Sequence, residues 1–177
     1  MAKANKSKSK APSRLETQTD LSHNAIPELA ESLNGLVADS YVLYLKTKNF
    51  HWHVSGPHFR DYHLLFDEHA DQIFAATDAL AERVRKIGAD TVHSFAQMLQ
   101  LTSLKENNAK YVAPLDMLQE LMRDNKTVVK NMREAHEVCD KHGDVASASL
   151  LENFIDEAER RNWFLFEASR NATDGGH

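Results

Sequence analysis

Four residues whose side chains can bind a metal, His63, Asp67, Asp78 and Glu82, are spaced symmetrically about the bond between Gln72 and Ile73. On a helix, at about 100° per residue, they share a stripe roughly 100° wide, with Phe59, Tyr62, Phe66, Ile73, Leu80, Val84 and Ile87 well round from it. At about 1.5 Å rise per residue, Asp67 and Asp78 stand about 16 Å apart, too far to share an ion within one chain. A second copy lying antiparallel across a two-fold axis removes the difficulty, because it sets Asp78 and Glu82 of one subunit against His63 and Asp67 of the other. One histidine nitrogen with two or three carboxylates makes a hard to borderline donor set, suited to iron(II), manganese or zinc. Cysteine is absent from the set, which argues against a structural zinc cage. Asp78 and Glu82, four apart, repel by a few tenths of a kcal/mol and call for a compensating cation. The competing reading is a solvated acidic face, with Lys86 placed four residues beyond Glu82 to pair with it.

A second cluster precedes the stripe, where KNFHWHV sets His51 and His53 on either side of Trp52. Residues two apart on a helix point about 200° away from each other, so only one of these histidines can face a given ion. His53, His58 and His69 read as ordinary polar or half-buried histidines, and Trp52 as core or interface packing. The chain contains no Glu-x-x-His, the pair that a di-iron centre inside a helical bundle needs on two of its helices. A dry, apolar bundle interior is therefore expected, with any metal at a subunit interface.

The elements that must hold these residues are helical. Leu29, Leu33, Leu36, Leu43 and Phe50 recur at helical spacing and predict a helix from about Ile26 to Val54, closed by Ser55, Gly56 and Pro57. A second is predicted from about His58 to Ile87, stopped by Gly88. A third starts at Pro114 and carries Leu118, Leu121, Val128, Met132, Ala135 and Cys139 on one side until Gly143; a fourth runs from about Asp144 to Arg170 with Leu151, Phe154, Ala158 and Leu165 inward. Short turns make the first and last pairs antiparallel neighbours, while residues 89–113 are long enough to run back along a helix. The fold class is all-α: a four-helix bundle with one long crossover, in which Phe95, Met98, Leu99 and Leu101 suggest a short extra helix on the bundle or on a neighbour.

The 177 residues suit one domain, with a basic tail over residues 1–20, the bundle over 21–170 and a C-terminal tail over 171–177. The first fifteen residues hold Lys3, Lys6, Lys8, Lys10 and Arg14 with no acid, so against a net charge of −5 the remainder carries −10. This low-complexity, polar stretch is expected to be disordered. The lone Cys139 excludes an internal disulfide framework and suits a reducing compartment. No apolar run approaches the roughly 20 residues of a membrane span, and no hydrophobic segment follows the basic start, so the cytoplasm is the expected location and no membrane partner is expected.

The run KNFHWHVSGPHFRDYHLLFDEHADQIFAATDALAERVRKIG, from Lys48 to Gly88, resembles the signature of the Dps family, the DNA-binding proteins from starved cells, which are miniature ferritins. The resemblance extends over roughly residues 20–170, through the short crossover helix and the WFLFE segment. It implies a ferritin-like bundle and a ferroxidase site made of His51, His63 and Asp67 of one subunit with Asp78 and Glu82 of its two-fold mate. It implies a hollow dodecamer that oxidises iron(II), preferably with hydrogen peroxide, stores ferric mineral and protects DNA. By rough position in the resemblance Asp144, Asp156 and Glu157 are candidate pore or cavity residues. DNA, repelled by the acidic body, would be held without sequence preference through the Lys-rich tails, whose many weak phosphate contacts add, and this implies association with the nucleoid. The alternative is chiefly a DNA-compacting structural protein with little ferroxidase activity; a third reading has the interface carboxylates making salt bridges only.

Overall fold

The computed structural model describes residue 15 and residues 17–170. Five helices follow one another: α1 (Ala25–His53), α2 (Phe59–Lys86), α3 (Phe95–Leu101), α4 (Pro114–His142) and α5 (Val145–Ser169). No strand occurs among the described residues. The four long helices begin and end within two residues of the predicted limits, because the punctuation is local chemistry. Gly88 and Gly143 adopt φ of 93° and 69°, the left-handed region in which a side chain is strained. Each closes its helix with a paired bond: Ala89 N–H donates to the Val84 carbonyl after α2, and Asp144 N–H to the Cys139 carbonyl after α4. Pro114 opens α4, where its missing N–H costs nothing.

α1 packs along α2 and against α4, and α4 along α5, so the two antiparallel hairpins are joined face to face. The core is the stripe that the periodicity marked, with Leu29, Leu33, Leu36, Leu43, Phe50, Phe66, Leu80, Leu118, Leu121, Met132, Cys139, Leu151 and Leu165 all buried. Phe154 is only half-buried, and Phe59 is 46% exposed. Burial pushes the Cys139 thiol up to about 11, so it is inert packing.

The interior is less apolar than expected. Arg161 of α5 is buried and donates from Nε to Asn125 Oδ1 at 3.1 Å, while Asn125 Nδ2 donates to the Leu121 carbonyl at 2.8 Å, a polar bridge between α4 and α5. Next to it His69, 1% exposed, has neither ring nitrogen hydrogen-bonded. Burial, aided by Arg161 and Arg160, lowers its pKa to about 3, so it is a neutral core histidine at physiological pH.

The crossover is tied to α1 at Asn34 and Asn49 and most densely at Asp39. Asp39, buried in α1, accepts from Thr102 Oγ1 (2.8 Å), Ser103 N (2.7 Å), Ser103 Oγ (3.1 Å) and Asn131 Nδ2 (2.8 Å), tying the end of α3 to α1 and α4. The short helix forms where expected, capped by Ser94, which accepts from Gln97 N. Its apolar side is not absorbed by its own bundle: Phe95 is 74% and Leu99 51% exposed.

Candidate metal centre

His51 lies in the last turn of α1 and His63 in the second turn of α2, brought together by the tight turn at residues 54–58. Their rings stack with centroids 3.8 Å apart and planes 22° from parallel, and Phe59 covers the outer face of His63 at 5.0 Å. Each histidine is oriented by the other's backbone: His51 Nδ1 lies 2.8 Å from the His63 carbonyl oxygen, and His63 Nδ1 lies 2.9 Å from the His51 carbonyl oxygen. A carbonyl oxygen only accepts, so both Nδ1 atoms carry the proton. In a neutral ring the Nε2 atom is then the lone-pair donor, the tautomer that a metal ligand needs, set by the carbonyl that the Nδ1–H meets. The helix end explains half of the arrangement, since the His51 carbonyl is among the last of α1, which lack a partner within the helix.

Asp67, one turn after His63, brings its Oδ1 to 3.7 Å from His51 Nε2. That oxygen is already held by Lys48 Nζ at 2.6 Å. The Lys48 hydrogen bond holds the Asp67 carboxyl below its usual range, and the same bond raises the lysine. His51, His63 and Asp67 thus form one cluster, with Lys48 as the cation inside it. Lys48 escaped the sequence reading, although its position three residues before His51 puts both on one face of α1.

Asp78 and Glu82 are not brought to this cluster. They lie three to five turns along α2 from His63 and Asp67, both exposed, and Glu82 Oε2 is paired with Lys86 Nζ at 2.9 Å. Among the described residues of a single chain no group of three or more His, Cys, Asp or Glu side chains could hold a metal ion. One chain offers two separated half-sets of donors, each attended by a lysine.

The geometry also separates the two histidines that the sequence left open. His53 turns back on its own helix, its Nδ1 donating to the Asn49 carbonyl at 2.8 Å, and is exposed. Trp52 stands 59% exposed and so is no part of the core of its own chain. Asp144 is 4% exposed, caps α5 by accepting from Ser147 N at 3.1 Å and pairs with Arg83 Nη2 at 2.5 Å, so it is engaged in structure and not offered to a pore. Lys3, Lys6, Lys8, Lys10 and Arg14 lie outside the described residues. No helix among the described residues is long and apolar enough to cross a membrane.

Replacing Lys48 by Met should loosen Asp67. We expect zinc(II) or cobalt(II) to bind up to about fivefold more tightly in an anaerobic calorimetric titration, the equivalent of the ~1 kcal/mol upper bound for a partly exposed ion pair. Unchanged or weaker binding would mean that Lys48 does not compete with the metal for that oxygen.

The same architecture recurs in known proteins. The ferritin-like domain model matches residues 30–171. A DNA protection during starvation protein of Brevibacillus brevis is 34% identical over 137 residues, which cover 77% of this chain and 91% of the relative. A low temperature-induced protein of Nostoc is 37% identical over 134 residues, 75% of each chain. Among solved structures, Dps from Thermosynechococcus elongatus superposes with a TM-score of 0.82 at 26% identity, covering 87% of this chain and 98% of that one. A Dps protein of Vibrio cholerae, a member of a broad superfamily of ferritin-like diiron-carboxylate proteins, gives 0.84 at 26% identity over 90% and 100%. Five helices with a single long crossover, a bundle lacking the internal di-iron motif and relatives that share most of their length with it lead to one assignment: the chain belongs to the Dps family of ferritin-like proteins.

Proposed function

We propose that this protein is an iron-oxidising, iron-storing miniferritin, with iron(II) as its substrate and ferric mineral as its product. The observation that carries the reading is the reciprocal His51–His63 arrangement, which engages the Nδ1 of each ring with a carbonyl and leaves the His51 Nε2 at 3.7 Å from Asp67 Oδ1. Asp78 and Glu82 of the partner subunit complete the donor set when two copies lie head to tail across a two-fold axis of a dodecamer. Such a set is poor in nitrogen and rich in hard oxygen, which suits iron(II) bound weakly enough to move on to the mineral. Two irons held close each give one electron to the same hydrogen peroxide molecule. The O–O bond breaks to leave two oxygens at the level of water or oxide, both irons become ferric, and with two water molecules taken up four protons are released as two FeOOH units form. No hydroxyl radical leaves the site, and DNA is thereby protected.

The residues divide the work. The His51 and His63 carbonyls fix the imidazole tautomers, Lys48 keeps Asp67 ionised until the metal replaces it, and the acidic body attracts cations. The tail cations Lys3, Lys6, Lys8, Lys10 and Arg14 hold DNA through phosphate contacts without sequence preference, which places the protein on the nucleoid in the cytoplasm. The alternative, chiefly a DNA-compacting protein with little ferroxidase activity, has one observation in its favour: Asp67 and Glu82 are both already in ion pairs, with Lys48 and Lys86.

Stopped-flow mixing of the iron(II)-loaded protein with limiting peroxide distinguishes the two readings. We expect two iron(II) consumed per peroxide and a hydroxyl spin-trap signal at least tenfold below that of free iron(II). A one-to-one stoichiometry with an undiminished radical signal would leave the DNA-compacting reading in its place.

A further inference from the structure

The described chain does not begin at α1. Leu15 and residues 17–22 form a non-helical segment that reaches the C-terminal end of α2. There Arg85, in the last turn of α2, gathers three oxygens: its Nη2 donates to the Leu15 carbonyl, and its Nη1 to the Ala89 carbonyl and to Asp90 Oδ1, the last at 3.0 Å. Three residues on, a Cβ built on Gly88 would stand 3.1 Å from the Thr17 carbonyl oxygen and 3.7 Å from Thr19 Cγ2. Gly88 therefore does two things at once. Its φ of 93° closes α2, and its missing side chain clears the path of the N-terminal segment. Beyond this point Thr19 Oγ1 accepts from Leu21 N at 3.2 Å, and Leu21 packs against the hydrophobic core before α1 begins.

We infer that Arg85 and Gly88 form a socket that fastens the root of the N-terminal segment to α2. The five tail cations are then tethered from residue 14 and not from the start of α1. The socket stands on these contacts alone; what it is for rests on the proposed DNA binding by the tail. A tether of 14 residues concentrates its cations near the surface more than one of 24 does, by about twofold per tail if effective concentration falls as the −3/2 power of length. Arg85 is a positioning residue in this arrangement. It touches no DNA itself.

Limited trypsin digestion of the assembled full-length protein tests the socket. Cleavage after Arg14 needs Leu15 to enter the protease in extended form, and the Leu15 carbonyl is the atom Arg85 holds. The readout is the rate of cleavage after Arg14 divided by that after Lys10, followed by mass spectrometry. Arg85→Met should raise this ratio at least fivefold. Asp90→Asn, which removes the acid from the same guanidinium but leaves the Leu15 contact, should keep it within twofold of the parent. Gly88→Asn, which tolerates the left-handed backbone while bringing a Cβ against the Thr17 carbonyl, should raise it too, and serves if Arg85→Met does not assemble. An unchanged ratio in the assembled Arg85→Met protein, or in Gly88→Asn should that one be needed, overturns the socket. A mobility-shift titration separates the two claims. If removing residues 1–14 leaves DNA affinity untouched, the tail reading fails and the protease result still stands; if the tail binds DNA, Arg85→Met should weaken binding about twofold per engaged tail.

Discussion

Neither a His63→Ala/Asp67→Ala protein nor an Asp78→Ala/Glu82→Ala protein is expected to oxidise iron(II) above the rate in buffer, yet unfolding the two together and reassembling them in equal amounts should restore about a quarter of the parent activity. The fraction follows from symmetry. Random pairing makes half of the dimers mixed, and each mixed dimer contains one site with all donors intact and one that keeps only His51. The intact site takes His63 and Asp67 from the second variant and Asp78 and Glu82 from the first. A site confined to one subunit would give no recovery at any mixing ratio, because each chain lacks half of its donors. The experiment thus reads the location of the chemistry independently of its rate. Anaerobic zinc(II) binding should return in the same proportion, which guards against a loss of oxidation that arises downstream of metal binding. Zero recovery in particles of normal size would sink the shared-site proposal.

Deletion of residues 1–14 should have the opposite profile, with iron oxidation unchanged and DNA binding lost. The physical argument is the charge balance, since the five tail cations are set against a body of −10. Two engaged tails can neutralise up to ten phosphates, and the released counterions give a steep salt dependence. Raising salt from 50 to 200 mM should lower the affinity of the full chain by between about 10³ and 10⁵. The truncated protein should show no shift of duplex DNA even at 50 mM, and no difference between unrelated sequences should appear for the full chain. Equal affinity of the two proteins at low salt would place the DNA contact elsewhere.

Much of this molecule is legible in its sequence, and the reasons are specific. Pro114, Gly88 and Gly143 mark helix limits because backbone dihedral preference is a property of single residues. The long crossover could be placed because its length alone demands a return along the bundle. The separation of His63 and Asp67 from Asp78 and Glu82 was likewise fixed by helical rise, and the structure keeps the two pairs apart as that spacing requires. What stayed hidden depends on contacts between elements. Helical phase says that His51 and His53 diverge, but only the packing of α2 against the end of α1 shows that His51 is the one turned inward. Arg161 and Asn125 look like surface residues until α4 and α5 enclose them together. Lys48 near the end of a helix reads as a solvated cation favoured by the helix dipole, and nothing local announces that Asp67 will close on it. The outward set of Phe95 and Leu99 is a property of the whole bundle and its neighbours, which no window of sequence contains.

The two lysines have a consequence for how the protein matures. Because one ammonium already balances Asp67 and another balances Glu82, neither half-set of donors needs a metal to relieve a pair of anions. The chain's folding is therefore uncoupled from metal supply, unlike that of small domains that stay unfolded until their ion arrives. Chelators should leave the melting temperature unchanged, and on the proposed function a protein made in an iron-starved cell would be ready when iron returns.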